Sequence, residues 1–220
     1  MPRFSCILWD VDGVIADASA GILPRLREVF TSYGMQPPTA EELSRWIGPP
    51  MYESFQRSGM SVEQSLEAVA RYRALAARDG YAASVAIYPG VPDVLRAVRD
   101  AGIPQSTASS KPENQVLAIL EHYELRDLFT VVAGSLPDPT TGGNEDKATV
   151  IGRALTLLEA AGADVSRPVL IGDRVHDLEG AAQYGIPVIF AEWGFGEPIE
   201  AEGAISRVSS AADLSRELLS

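Results

Sequence analysis

Two aspartates one residue apart, Asp10 and Asp12, follow directly on a largely apolar run over residues 4–9 and precede Gly13. Residues i and i+2 of an extended segment point to the same side, so both carboxylates can face one spot. Two buried like charges are costly, and a divalent cation that prefers oxygen ligands would relieve their repulsion. Gly13 lets the backbone turn sharply behind them. Further on, Ser109 ends a weaker apolar run over residues 103–108, and Asp173 ends another at 169–172, with Asp177 four residues later. The chain has only two lysines, Lys111 and Lys147. Acids, a hydroxyl and an ammonium at the ends of apolar runs are the parts from which phosphate or metal chemistry is built. The scarcity of lysine excludes any mechanism that needs one elsewhere.

The surrounding pattern says how these groups are held. Residues 4–9 read as a buried strand. Ile22, Leu26, Val29 and Phe30 then recur at helical spacing before Gly34 and the Pro37-Pro38 break. From there to about Ser84 the sequence reads as helices without a strand. Ser61 and Gln64 fit a capping box, and Val62, Leu66, Val69 and Tyr72 form an apolar stripe read as ordinary core. Residues 17–83 are therefore expected to be an inserted helical domain, with the core built from residues 1–16 and 84–220.

After a turn at Tyr88-Pro89-Gly90, helices and short apolar runs alternate. A helix marked by Val91, Leu95 and Val98 ends at Gly102, and Pro112 is expected at the first position of a helix running to Leu120. Strands are expected at residues 103–108, 129–133, 169–171 and 186–190, with an edge strand at 204–208. Val150, Ile151, Ala154, Leu155 and Leu158 mark a helix ended by Gly162, and residues 136–144 are the longest irregular stretch. Such alternation predicts an α/β fold, a doubly wound parallel sheet covered on both faces. Ligands of such sheets bind at the carboxyl ends of the strands, where Asp10, Ser109 and Asp173 stand.

Composition narrows the function. The 30 acidic residues outnumber 18 basic ones, a net charge of −12, which argues against nucleic acid or an anionic membrane as partner. An anionic substrate must be drawn in by a local site. The single cysteine, Cys6, lies in the first strand, where a small core hydrophobe is the expected role; no disulfide framework is possible, which fits a reducing, cytoplasmic location. The first residues lack a signal-peptide pattern, and no apolar run approaches the roughly 18 residues needed to span a bilayer. One cysteine and two histidines cannot make a standard zinc site, no glycine precedes either lysine as in a P-loop, and Val14, Ile15 and Gly21 are wrong for a calcium loop begun at Asp10.

In order, DVDGV, Ser109 in TASSKP, Lys147 in NEDKATVI and Asp173 and Asp177 in GDRVHD resemble the four motifs of the haloacid dehalogenase superfamily of phosphohydrolases. The resemblance covers the core on both sides of the helical block, which is similar to that superfamily's cap. IGPPMYESF and SSKPE look closest to the phosphoglycolate phosphatase-like branch. It implies a Rossmann-like core and a small phosphorylated metabolite as substrate. Mg2+ would be held by Asp10, Asp173 and the main-chain carbonyl of Asp12, with Asp177 behind holding a water of the ion's shell.

The chemistry follows: a carboxylate attacking a phosphate monoester meets charge repulsion that must be neutralised. Asp10 would be the nucleophile that forms an aspartyl-phosphate, Lys147 the fixed positive charge, Ser109 a hydrogen-bond donor to a phosphoryl oxygen, and Asp12 the general acid and base. The acid at Asp12 separates phosphoryl transfer from dehalogenation, and the absence of lysine from residues 1–110 excludes imine-forming phosphonate hydrolysis. Gly13, Ser110, Lys111 and Arg174 are expected beside the substrate or behind the ligands, with a structural role favoured for Arg174. Specificity is expected from residues 46–52 and from Arg45 or Arg57; His176 is expected at a helix start and His122 on the surface. The rivals are a 5'-nucleotidase or a beta-phosphoglucomutase-like phosphotransferase on the same core, and a non-catalytic receiver-like phosphoacceptor module, against which the large helical insertion counts.

Overall fold

The computed structural model describes residues 3–137 and 145–220; the expected irregular stretch at 136–144 lies almost wholly outside the described residues. The first strand, β1 (Cys6–Trp9), is buried along its whole length. Cys6 and Leu8 pack into one cluster and Ile7 and Trp9 into the other, so one short run feeds both faces of the sheet.

The chain then leaves through a tight loop into β2 (Ala16–Asp17) and four helices, α1 (Ser19–Ser32), α2 (Ala40–Ser44), α3 (Met51–Arg57) and α4 (Val62–Asp79). It returns through β3 (Ala86–Ile87), which pairs antiparallel with β2 and clips the two ends of the excursion together. The helical block has its own core, in which Phe30, Trp46 and Phe55 meet edge to face or tilted at centroid distances of 5.2–6.0 Å. Capping boxes start two of its helices, at Ser61 as expected and also at Thr39 with Glu42. The sequence boundary at residue 17 falls inside β2, whose Asp17 carboxylate accepts the Ser19 N–H at 2.8 Å.

The remaining elements are α5 (Val91–Asp100), β4 (Gln105–Thr107), β5 (Ser109–Pro112), α6 (Glu113–His122), β6 (Gly134–Ser135), α7 (Lys147–Ala160), β7 (Pro168–Gly172), α8 (Val175–Ala182), β8 (Val188–Ala191), β9 (Ser206–Val208) and α9 (Ala211–Leu219). The main sheet is wholly parallel in the order β4-β1-β7-β8-β9. α5, α6 and α9 cover one face, α7 and α8 the other, which is the doubly wound fold. The strand order reverses between β1 and β7, the place where such sheets bind ligands.

Two expectations need correction. Residues 129–133 do not form a full strand: only Val131 bridges to Ser106. The Thr107 hydroxyl takes the place of the ladder, accepting the Ala133 N–H and donating to the Ala133 carbonyl, both at 2.9 Å. Pro112 stands just before its helix rather than at the first position. Among the described residues no helix is long and apolar enough to cross a membrane.

Candidate active site

Three strand ends converge. The Asp10 N–H donates to the Ile171 carbonyl at 2.9 Å, carrying the β1–β7 ladder one residue past β1, so Asp10 emerges beside Asp173. The Ala108 N–H donates to the Trp9 carbonyl at 2.7 Å and delivers buried Ser109 to the same edge, where its Oγ accepts the Lys111 N–H at 3.3 Å. The coincidence of position expected from the sequence thus comes from continuous backbone pairing.

Asp173 is fully buried and its Oδ2 accepts the Phe195 N–H at 2.7 Å. Gly13 stands against it at φ +90°, and a Cβ there would lie 2.1 Å from Oδ2; one at Gly194 would lie 2.3 Å away. The two glycines allow the backbone to close around the carboxylate. Asp177, in the first turn of α8, accepts the N–H groups of Asp173 and Arg174 at 3.0 Å each through Oδ2. Its Oδ1 lies 2.6 Å from Lys147 Nζ. Lys147 opens α7 behind the N-cap Asp146 and also pairs with Asp10 Oδ1 at 3.0 Å.

Asp10, Asp173 and Asp177 each offer an oxygen within 4.8 Å of the others. The one ammonium that touches them, Lys147, leaves two charges uncompensated when all three are ionised. Burial pushes the Asp173 carboxyl well up, helped by Asp177 and Asp10, and pushes Asp177 up against the pull of Lys147. Burial alone would lower the Lys147 ammonium, but Asp10 and Asp177 outweigh it and hold it above the usual range. Asp173 Oδ1 is buried and accepts no hydrogen bond, and Asp10 Oδ1 meets only the ammonium it shares with Asp177. An orphaned hard oxygen among three clustered carboxylates with this charge deficit fits a divalent cation of the Mg2+ type. Asp177 belongs to that carboxylate group, while the Asp12 side chain stands apart from it.

Asp12 Oδ2 pairs with Lys111 Nζ at 2.7 Å, both side chains being nearly buried. Its Oδ1 accepts nothing, and burial raises the Asp12 carboxyl although Lys111 lowers it. Above it opens a cavity of about 280 Å³, with Asp12, Ser110 and Lys111 at its floor. Lys111 thereby acquires a place that the sequence left undecided. Residues 46–52 line the cavity as expected. Arg45 and Arg57 do not: Arg45 is exposed and pairs with Glu197 at 3.2 Å, and Arg57 is exposed and reaches Ser54. The α4 stripe is core at Val69 and Tyr72, which are buried in the cluster of the helical block and also reach the cavity wall; Leu66, on that wall, and Val62 are exposed and depart from the expectation.

Arg174 faces away from the floor. Its Nε donates to Glu200 at 3.0 Å and its Nη1 to the Ile47 carbonyl, tying the loop after β7 to the helical block. His176 lies 3.4 Å from Glu179, outside the carboxylate group, and His122 is exposed. Sequence reading missed three contributors. Arg73, on the cavity wall, continues the Leu66–Val69 spacing and was open to detection; the Phe195 N–H and Glu200 carry no local signal.

A family model described as haloacid dehalogenase-like hydrolase matches residues 7–191. Tyrosine-protein kinase PtkA of Mycobacterium tuberculosis is 32% identical over 86% of this chain and 62% of its own length. Its solved structure superposes with a TM-score of 0.82 at 29% identity, covering 99% of this chain and 98% of that one. A 5'-nucleotidase of Pseudomonas aeruginosa is 30% identical over 90% of this chain and 87% of its own. A phosphoglycolate phosphatase of Caulobacter vibrioides is 28% identical over 94% and 88%. This chain spans 62% of the length of the kinase-named relatives.

Proposed function

We propose, from the premise that this chain belongs to the haloacid dehalogenase-like hydrolase family, that it is a phosphatase cleaving a small phosphomonoester through an aspartyl-phosphate on Asp10. The observation that carries the reading is the division of charge at the strand ends. Asp10 sits with Asp173, Asp177 and Lys147, while Asp12 is separately paired and faces the cavity.

In the first half-reaction an Asp10 oxygen attacks phosphorus, the bond to the leaving oxygen breaks with its electron pair, and Asp12 delivers a proton to that oxygen. In the second, Asp12 takes a proton from a water whose oxygen attacks phosphorus; the bond to Asp10 breaks and inorganic phosphate leaves. The raised Asp12 carboxyl suits a group that must be protonated before the first step and able to accept a proton in the second. Lys147 keeps a positive charge against Asp10 throughout, and Ser109 offers its hydroxyl at the same edge. Mg2+ would be held by Asp10, Asp173 and the Asp12 main-chain carbonyl, and supplies Lewis-acid neutralisation of the phosphoryl charge. Gly13 is proposed to admit Asp173 beside Asp10, and Arg174 to hold the loop that presents it. Residues 17–83 serve as the cap that excludes water during the first step.

Phosphoglycolate phosphatase-like activity is supported by the likeness to that branch, and a 5'-nucleotidase stands among the relatives. The kinase-named relative favours a second outcome on the same centre, transfer of the phosphoryl group to a hydroxyl other than water. Asp10→Asn is expected to lower phosphate release from p-nitrophenyl phosphate by a factor on the order of 10^4 or more without unfolding the protein. EDTA is expected to abolish turnover and Mg2+ to restore it. Unchanged turnover by a folded Asp10→Asn protein would sink the mechanism. Phosphorylated acceptor in place of inorganic phosphate would move the chain to the transferase reading.

A further inference from the structure

The cavity above Asp12 is built for more than a phosphoryl group. Its volume of about 280 Å³ compares with roughly 30 Å³ of liquid volume per water, so it is the space of about nine waters. A two-carbon acid such as glycolate has five non-hydrogen atoms and would leave much of the space to water.

The wall is apolar where it meets that space. Leu66, Val69, Ala70 and Arg73 follow one another at i, i+3, i+4 and i+7 along α4 and all line the cavity, so one helical face looks into it. Leu66 stays 40% exposed there, although the same helix buries Ala68 and Ala76 completely. Met51 and Tyr52 from α3 and Tyr72 from α4 add polarizable and aromatic surface. At the floor, Lys111 is committed to Asp12 at 2.7 Å, leaving Asp12 as the group that meets the leaving oxygen.

We propose that the substrate is a phosphomonoester whose leaving alcohol carries a ring system, seated against the α3–α4 wall while its ester oxygen meets Asp12. The inference rests on Asp10-centred hydrolysis and adds the leaving-group class to it. The shared chemistry is an apolar ring face, which a nucleoside or a phenolic side chain can equally supply.

The test compares kcat/KM, by phosphate release with Mg2+ present, for benzyl phosphate and ethyl phosphate, whose leaving alcohols have similar acidity and differ in the ring. Phosphoglycolate, phosphotyrosine and adenosine 5'-monophosphate are run alongside. Benzyl phosphate is expected to exceed ethyl phosphate and phosphoglycolate by about 100-fold, since one extra methylene in an apolar pocket is already worth roughly 10–200-fold. Leu66→Asp, a change at an exposed position, is expected to cut the benzyl-to-ethyl ratio about tenfold. The better of the nucleotide and phosphotyrosine arms identifies the source of the ring. Equal rates for benzyl and ethyl phosphate, or preference for phosphoglycolate, overturn the inference and leave the hydrolase reading standing. No release from any ester overturns both.

Discussion

At the floor of the site Asp10, Asp173, Asp177 and Lys147 are each no more than 7% exposed, and nearly every polar atom is engaged by a neighbour or aimed at a shared point. In the helical roof Leu66 is 40% exposed and Val62 58%, apolar surface turned to open space. The floor is held by strand ends, one parallel ladder and glycines that leave no room for adjustment. The roof is a separate core on its own helices, joined to the floor through β2 and β3 and the reach of Arg174 to the Ile47 carbonyl. On the proposed function the difference separates reaction from selection: charge placed by the sheet would determine what bond breaks, and apolar surface placed by the helices what the bond belongs to.

Removing Lys147, the ammonium that touches the carboxylate group, tests that separation most severely. Lys147→Met leaves two buried carboxylates, Asp10 and Asp177, without their partner, and a loss of about 3–5 kcal/mol is expected in urea unfolding without divalent cations. Mg2+ should then raise the variant's midpoint more than the wild type's, because it replaces the lost charge. An unchanged midpoint in EDTA would mean that the floor is not an interdependent charge cluster.

Arg174→Ala cuts the link between floor and roof. It leaves Glu200 without its cation and the Ile47 carbonyl without a donor, so a destabilisation of about 1–3 kcal/mol is expected. KM for benzyl phosphate should rise several-fold more than kcat falls, and Arg174→Lys should recover little because an ammonium cannot reproduce the fork. A fall in kcat alone would place Arg174 at the reacting atoms instead.

The smallest effect is expected from Cys6, buried in β1 away from the roof, with its thiol pushed up to about 11 chiefly by burial. At pH 8 only about one thiol in a thousand would be thiolate, so iodoacetamide should label the protein only after unfolding. Rapid labelling of the folded protein would contradict the packing that sets the floor.

The floor was legible because its signals are short-ranged. An apolar run stopped by Asp10, Ser109 or Asp173 names a strand end within a few residues, and parallel strands bring their ends together. The roof was less legible. The α4 stripe had the right period, yet period alone does not say whether Leu66 meets a helix or a cavity. Arg45 and Arg57 were chosen for charge near a plausible segment, and tertiary packing turned them outward. The strand expected at residues 129–133 failed because the Thr107 side chain supplies hydrogen bonds that a ladder would otherwise provide.

By itself the sequence determined the α/β class, the helical excursion and the order of acids, hydroxyl and lysine along strand ends, since each is written in local periodicity and turn chemistry. Only the tertiary structure decided that Asp177 joins the carboxylate group, that Lys111 pairs with Asp12, and that Arg174 spends its donors on the helical block. It likewise decided that the α4 face lines the cavity above Asp12. Those outcomes depend on which distant segments meet, and on burial that strengthens charge interactions only once the chain has closed around them.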